Sequence, residues 1–577
     1  MYYSLLLTAA FSTVARAATF GQWCGKYYQV GAPMPASRPE GSLFPYPSYS
    51  DTPLLDFQCV TASSLYLEGD DANDPPMILI DTNITHDVGQ PWYGDKSGNL
   101  TVEVWVDDWQ PITTGSIQVG SLGSLLPFST ANLTASTQAY NLTCKASING
   151  REFWTNSTLR YLPPNPHGGN TVKIDRKSGS LVVRNETGGS DARERIIPFG
   201  FYDNYQGSSG TQMYNDTLNR LYAAKQYGFN FIHPVAPNSN STPWPDWEGF
   251  LHYLDVAEQL GIWIMYDMRY TWTNTSSVTE QVTALRNRSN ILLWYTGDEP
   301  DGAMDPLIST GIAYDVINTL DGYRPVSLVL NCENYYFIQY GLDGSDLLLV
   351  DPYPIALNGA WSKRYNTPVN VNFGDSGCDN CNGTFYDITE TMDSSIDRAR
   401  TQGKYRTTPV WMVPQAFDDG QQEFWYRVPT GDEEAVQTVI AYNHGAMGHC
   451  AWNSEYSTPD ILSNASFIAG QLYAQSRFII DAHDSRQTVY SNLSYPGING
   501  IDLASWTMYH PENNTHETLV MGSNFNYIAS GTFTTFSLAN VTGTVKEVLF
   551  GNVTQAEDGS ALFSLPRTSV AGVILQH

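Results

Sequence analysis

The stretch Ile291–Gly302, ILLWYTGDEPDG, decides the fold, because a short apolar run stops there at two adjacent carboxylates, Asp298 and Glu299. Ile291, Leu292, Leu293 and Trp294 show no polar alternation, as in a strand buried on both faces beneath helices. Pro300 closes the strand, and Asp301–Gly302 gives a turn before a helical stretch from Ala303. An apolar strand that ends in acids is how a barrel delivers a reacting group to its rim. If extended geometry persists, Asp298 and Glu299 face opposite ways, and only one of them is the reacting acid.

Working outward, a strand-then-helix alternation begins at Arg195 and can be counted eight times. The expected strands are Ile196–Tyr202, Phe229–Val235, Ile262–Asp267, Ile291–Thr296, Pro325–Leu330, Asp346–Val350, Pro409–Val413 and Gly448–Trp452. Amphipathic stretches lie between them at Asp216–Tyr227, Gly249–Leu260, Met304–Leu320, Ser394–Gly403 and Glu433–His444. Eight units over ~290 residues match a (β/α)8 barrel. A doubly wound sheet is the alternative, but no GxGxxG follows the first strand.

Residues 18–189 are Thr/Ser/Gly/Pro-rich, with short alternating runs such as Asn99–Val106, and predict a β-sandwich-like region. Strands return in residues 483–577, for example Glu517–Met521 and Val570–Leu575, and predict a C-terminal β-sandwich around a barrel of residues 190–482. The expected architecture is thus a central (β/α)8 TIM barrel between two β-domains.

Residues 1–17 read as a secretory signal, with an apolar Leu5–Phe11 core and a small-x-small end at Ala15–Ala17. No other stretch is long and apolar enough to span a bilayer. Sixteen Asn-x-Ser/Thr sites fit passage through a glycosylating pathway, so N-linked glycans and an extracellular location are expected. The formal charge of −28 speaks against nucleic acid, anionic membranes and polyanionic substrates. Seven cysteines imply disulfides and at least one unpaired thiol. Cys378 and Cys381 suit a stapled loop, since no second CxxC or HxxxH completes a zinc site. Cys332 and Cys450, in apparent strands, read as buried thiols. No metal or organic cofactor is implied, and the sequence leaves the oligomeric state open.

In this architecture the chemistry sits at the C-terminal strand ends. In order these carry Tyr202 with Asp203, His233, Asp267 with Arg269, Asp298 with Glu299, Asn331 with Glu333, Asp351 with Tyr353, Gln415, and Asn453 with Glu455. Carboxylates, amides and aromatics without clustered His ligands suit glycoside hydrolysis, which needs one carboxylic acid for the leaving oxygen and a second as nucleophile or base. Aromatic faces for sugar rings are available from Tyr205, Trp244, Trp247, Tyr270, Trp272, Tyr335, Tyr336, Trp361, Trp425 and Trp452.

WYTGDEP resembles the acid/base position of clan A glycoside hydrolases, whose usual text there is Asn-Glu-Pro. The longer pattern adds DPYP at Asp351–Pro354 and PVWMVPQAF ending the seventh strand. It is similar to secreted (β/α)8 glycosidase-like proteins over about half the chain. The resemblance implies Glu299 as general acid. Two departures stand out: Asp298 replaces the clan's Asn, and Gln415 stands where the clan has its nucleophilic Glu. The second carboxylate is therefore sought elsewhere, first at Asp351, then at Glu333, Glu455 and Asp267. Asp298, Gln415, Tyr202, His233, Tyr353 and Trp452 complete the expected sugar-contacting set. The structural alternatives are a capping or Arg269-paired Glu299, an Asx turn at Asp351, and satisfied core histidines. The functional alternatives are a transglycosylase and a non-catalytic glycan-binding or wall protein.

Overall fold

The computed structural model describes residues 22–24, 26–27, 43–69, 75–94, 97–185, 193–236, 246–332, 335–370, 372–374, 378, 381–418, 420, 423–480, 488–489, 500–527 and 534–577. The domain boundaries expected at residues 17/18, 189/190 and 482/483 lie outside the described residues, as do Trp244 and Glu333.

Eight parallel strands close into a barrel. They are β1 (Phe199–Asn204), β2 (Phe231–Val235), β3 (Trp263–Asp267), β4 (Ile291–Asp298), β5 (Val326–Leu330), β6 (Leu347–Val350), β7 (Val410–Met412) and β8 (His449–Ala451). β8 returns to pair with β1, His449 opposite Phe199. Ile196, expected in the first barrel strand, belongs instead to a small sheet of Asn170–Ile174, Leu181–Asn185 and Arg193–Ile196. Pro198 has no N–H for a ladder and separates the two strands.

The longer helices among the described residues are α1 (Gln212–Gln226), α2 (Trp247–Gln259), α3 (Thr275–Leu285), α4 (Ser309–Leu320), α5 (Tyr386–Thr401), α6 (Gly431–Asn443) and α7 (Pro459–Ala474). The sequence reading started α4 at Met304. Pro306, which cannot sit in a helix interior, delays it to Ser309. Between β5 and β6 the chain makes one turn of π-helix, Ile338–Leu342, in place of a full helix.

Strand alternation sorts the core. Trp294 and Tyr266 face outward, packing with Phe250, Val282 and Ile317 of the helical layer. Leu293, Tyr295, Met265, Leu349 and Trp411 fill the interior, and Val172, Ile174, Leu181 and Val183 of the small sheet plug its N-terminal end. That end is thereby closed, and the C-terminal strand ends form the open face.

Upstream, the sheet Gln90–Pro91, Leu54–Thr61, Met77–Thr85, Ser124–Pro127 packs on the sheet Arg151–Leu159, Tyr140–Ile148, Asn99–Val106, Gln110–Gln118. The Cys59–Cys144 disulfide joins them through a core that includes Phe57, Ile80, Val104 and Leu142. A five- and a three-stranded sheet form the C-terminal sandwich around Leu503, Val520, Phe563 and Val573. Cys24–Cys332 and Cys378–Cys381 are also bonded, and Cys450 is the free, buried cysteine. Cys332 is thus not the thiol its strand-like context suggested: a partner 308 residues away leaves no local signal. Among the described residues no helix is long and apolar enough to cross a membrane.

The C-terminal sandwich is tied to the barrel by His444, at the end of α6, between Asp393 of α5 (2.6 Å from Nδ1) and Asp502 (2.9 Å from Nε2). Burial opposes the imidazolium, but the bonds to Asp393 and Asp502 outweigh it and carry the pKa up to about 9. The folded value lies above the unfolded one, so the stabilisation is complete below pH ~6.5 and is lost as pH rises through about 9. A melting series from pH 6 to 10 is expected to show this loss, of order 3 kcal/mol at most. His444→Gln is expected to flatten the series.

Candidate active site

β4 runs two residues further than its apolar text, to Asp298, and Glu299 then turns into the left-handed region at φ 50, ψ 50. A non-glycine residue adopts that region at a cost of ~1–3 kcal/mol, and such residues cluster at functional sites. The turn is held by Glu299 N donating to Val329 O (3.2 Å) and Ala303 N donating to Glu299 O (3.0 Å). It breaks the strict alternation of the strand. Asp298 turns toward the β3 end, and Glu299 toward the β6 end.

Glu299 and Asp351, the residue after β6, are hydrogen-bonded carboxyl to carboxyl. Burial is the main cause that pushes both above the ordinary carboxylate range. For Glu299 the charge of Asp351 adds to it, whereas for Asp351 the bond to Glu299 pulls back, leaving that carboxyl at about 8. Two buried carboxyls in contact cannot both ionise, so a proton stays on the pair at neutral pH. Glu299 neither caps the following turn nor pairs with Arg269, its two bland alternatives.

The pair is set from below and from the side. Asp301 receives Gly302 N (2.9 Å), Asn331 N (3.3 Å) and Cys332 N (2.7 Å), fastening the β5 end to the β4 turn. Burial pushes the Asp301 carboxyl up to about 6. Asn331 Nδ2 donates to Asp351 Oδ1 (3.4 Å), while its Oδ1 accepts from Trp23 Nε1 (2.9 Å). Trp23 is buried against Gly302, where a Cβ would stand 2.2 Å from the indole, so only glycine admits it. The neighbouring Cys24–Cys332 disulfide, with Cα atoms 5.1 Å apart, fastens this N-terminal clip.

A second network occupies the β2–β4 side. Arg269 donates from Nε to Asp267 (2.6 Å) and from Nη1 to Asp298 (2.9 Å), and Tyr295 OH donates to the other Asp298 oxygen (2.7 Å). The guanidinium lies 5.5, 5.6 and 5.2 Å from the rings of Tyr202, Tyr295 and Trp452. Asp267 also accepts from His233 Nε2 (2.9 Å). Burial holds His233 below the usual imidazole range and so neutral. Burial also works against the Asp267 anion, but Arg269 and His233 together keep that carboxyl below its usual value.

Several expected sugar contacts are instead scaffold. His233 and Asp267 are fully buried and bonded to each other, with Tyr202 stacked on His233 at 4.0 Å. Gln415 is also fully buried: its Oε1 accepts from Ile355 N (2.8 Å), and its Nε2 donates to Ile355 O (3.1 Å) and Phe417 O (3.2 Å). It holds the β6 and β7 loops together and has no amide hydrogen left for a ligand. Glu455 accepts from Asn204 Nδ2 (2.7 Å) and Gln206 Nε2 (3.0 Å), bridging the β1 and β8 ends. Tyr205 and Trp272 belong to the helical-layer core. Tyr353 packs with Phe417 and Trp425 in the interior cluster beside Asp351. Asp298, with 16% of its side chain exposed, and Trp452 remain at the open face.

Sequence reasoning gave Arg269 no role beyond a pairing partner, placed Asn331 at the β5 end without a partner, and missed Tyr295, Asp301 and Trp23. Only Tyr295 carried a signal, since alternation with outward Trp294 turns it inward.

Gln415→Glu, which puts in the acid that clan A glycoside hydrolases carry at that strand end, is expected to weaken the fold by ~2–5 kcal/mol without raising activity. A carboxylate oxygen there would face the Ile355 and Phe417 carbonyls; a melting curve beside the activity assay checks it.

The chain resembles several solved structures. The β-D-glucuronidase of Dictyoglomus thermophilum is 13% identical, with a TM-score of 0.32 over 74% of this chain and 69% of that one. The likeness is to glycosidases. A β-glucuronidase of Parabacteroides merdae is 10% identical, with a TM-score of 0.29 over 91% and 74% of the two chains. A provisionally assigned α-galactosidase of Bacteroides fragilis is 9% identical, with a TM-score of 0.42 over 92% and 98%. No sequence-family description matches the chain, and no curated protein matches it in sequence. Low identity goes with a low superposition score in each case, and the chemistry of this chain rests on its own residues.

Proposed function

We propose that this chain is an exported, N-glycosylated glycoside hydrolase that cleaves O-glycosidic bonds of a neutral poly- or oligosaccharide, with Glu299 as proton donor. The observation that carries the reading is the proton-sharing Glu299–Asp351 pair at the open end of a plugged barrel. A carboxyl kept protonated at neutral pH is what protonation of a leaving oxygen needs. The charge of −28 favours a neutral glycan. Three disulfides and the sequons support export.

In this reading Asp351 is the second carboxylate. Bonded to each other, the two carboxyls leave no place between them for a glycosidic oxygen, so the substrate has to replace that bond on entry. Asp298 supports a second reading. Fixed by Arg269 and Tyr295 yet partly exposed, it has the pose of a nucleophile, leaving Asp351 to hold the proton on Glu299.

The test is sugar release from a panel of neutral polysaccharides, comparing wild type with Glu299→Gln, Asp351→Asn and Asp298→Asn. Azide added to Asp351→Ala or Asp298→Ala is expected to restore turnover as a glycosyl azide at the position whose carboxylate faces the anomeric carbon. Retained product from wild type makes that residue the nucleophile, and inverted product makes it the base. A wild type that cleaves nothing but is retained on a glycan gel would overturn the hydrolase reading in favour of a binding protein. Sugar transfer in place of release would mark a transglycosylase.

A further inference from the structure

Opposite the open end, between the N-terminal sandwich and the closed end of the barrel, lies a cavity of about 630 Å³. Gln58, Ser64 and the edge Thr155–Thr158 line it from the sandwich. Tyr314, Asp346 and Thr408 line it from the barrel, just before β6 and β7 for the last two. Its lining is largely polar, and Arg160, Arg176, Arg324 and Lys404 all reach it. A cavity this rich in cations is out of keeping with a chain of 30 basic and 58 acidic residues.

Arg324 is accounted for: it is bonded to Asp321 (2.7 Å), Asn170 (2.6 Å) and two backbone carbonyls. Arg160 and Arg176 are not. Arg160 donates only from Nη2, to Gly322 O (2.6 Å), and Arg176 only from Nη1, to Thr61 Oγ1 (2.6 Å) and Thr61 O (3.4 Å). Neither has a carboxylate within ion-pair distance among the described residues. Of the two carboxylates in the lining, Asp343 is exposed and Asp346 is already bonded by Tyr314 OH (2.8 Å) and Val326 N (3.0 Å). Ser157 Oγ and Arg176 Nε, both buried, have no partner. A guanidinium drawn out of water without a counter-ion is costly, and proteins pair such charges. Burial lowers Arg176 to about 10, with Arg160 pressing the same way and Asp346 against it.

We propose that this cavity binds an oxyanion, a phosphate, sulfate or carboxylate group whose oxygens bridge the free N–H groups of Arg160 and Arg176. The volume admits a ligand up to the size of a small sugar acid or sugar phosphate. The planar N–H forks of two arginines suit such oxygens. Because the cavity is at the closed end, the ligand is not the substrate of the catalytic face. It joins sandwich to barrel, and its binding is read as stability.

The experiment is a thermal-melt titration of the full chain with sodium phosphate, sulfate, acetate and glucuronate against sodium chloride at equal ionic strength. At least one oxyanion is expected to raise Tm with saturation below ~10 mM, by 2 °C or more over chloride. Sulfate and phosphate also raise Tm by exclusion from protein surface, but that rise does not saturate. Arg176→Gln and Arg160→Gln are each expected to abolish the saturable part, and Glu299→Gln to leave it intact. Should Arg176→Gln not fold, Arg160→Gln and the exposed Lys404→Met carry the comparison, the latter weakening the midpoint several-fold. Inorganic anions acting as well as glucuronate would identify a simple anion site, and glucuronate acting alone a sugar-acid site. No saturable rise with any probe, or one unchanged in the arginine variants, would overturn the proposal. These outcomes do not depend on whether the catalytic end hydrolyses glycans.

Discussion

Glu299→Gln is expected to lower hydrolysis of an unactivated glycan by ~10²–10⁴-fold, equivalent to about 3–5 kcal/mol of transition-state stabilisation. The substitution is isosteric. The new amide still donates to Asp351, so the left-handed turn and its bonds to Val329 and Ala303 persist and the melting temperature stays within a few degrees. What disappears is the transferable proton. A glycoside with a strongly acidic leaving group, such as a dinitrophenyl glycoside, needs no such proton, and the variant is expected to recover most of the wild-type rate on it. Equal losses on both substrates would remove Glu299 from the acid role.

Asp351→Asn is expected to cost ~10²-fold or more and to change the pH profile as well as the rate. In the wild type Glu299 holds its proton first because it is buried and second because Asp351 is beside it. The variant keeps the burial and loses the neighbouring charge. Activity that needs the Glu299 proton is present below its pKa and lost as pH rises through it, so the alkaline limb is expected to move to lower pH. Asn331 cannot compensate, since it carries no charge and its oxygen is already bonded by Trp23. An unchanged alkaline limb beside a full loss of rate would make Asp351 a nucleophile or base that does not tune its neighbour.

The barrel was legible because its signal is local. ILLWYTGDEP gives a doubly buried strand, its end and its acid in one stretch, and the other seven strands follow the same apolar-then-polar pattern. Glu299 and Asp351 were reachable for the same reason: each ends its own strand. The surroundings of the pair were not legible, because they depend on which strand ends meet. Gln415 shows the limit. At its position a ligand-contacting amide and a loop-holding amide have the same one-letter text, and only the Ile355 and Phe417 carbonyls separate them. Arg269 shows the converse, a residue read as a neutralising partner that instead joins β3 to β4 beneath three aromatic rings.

Trp23 and Cys24 stand some three hundred residues before the β5 end that they clamp. That clamp lies outside the eight paired strands, whose own ladder closes without it. Chain made in a reducing compartment is expected to carry the barrel without the Cys24–Cys332 clamp beside Asn331, and passage through an oxidising one to close it.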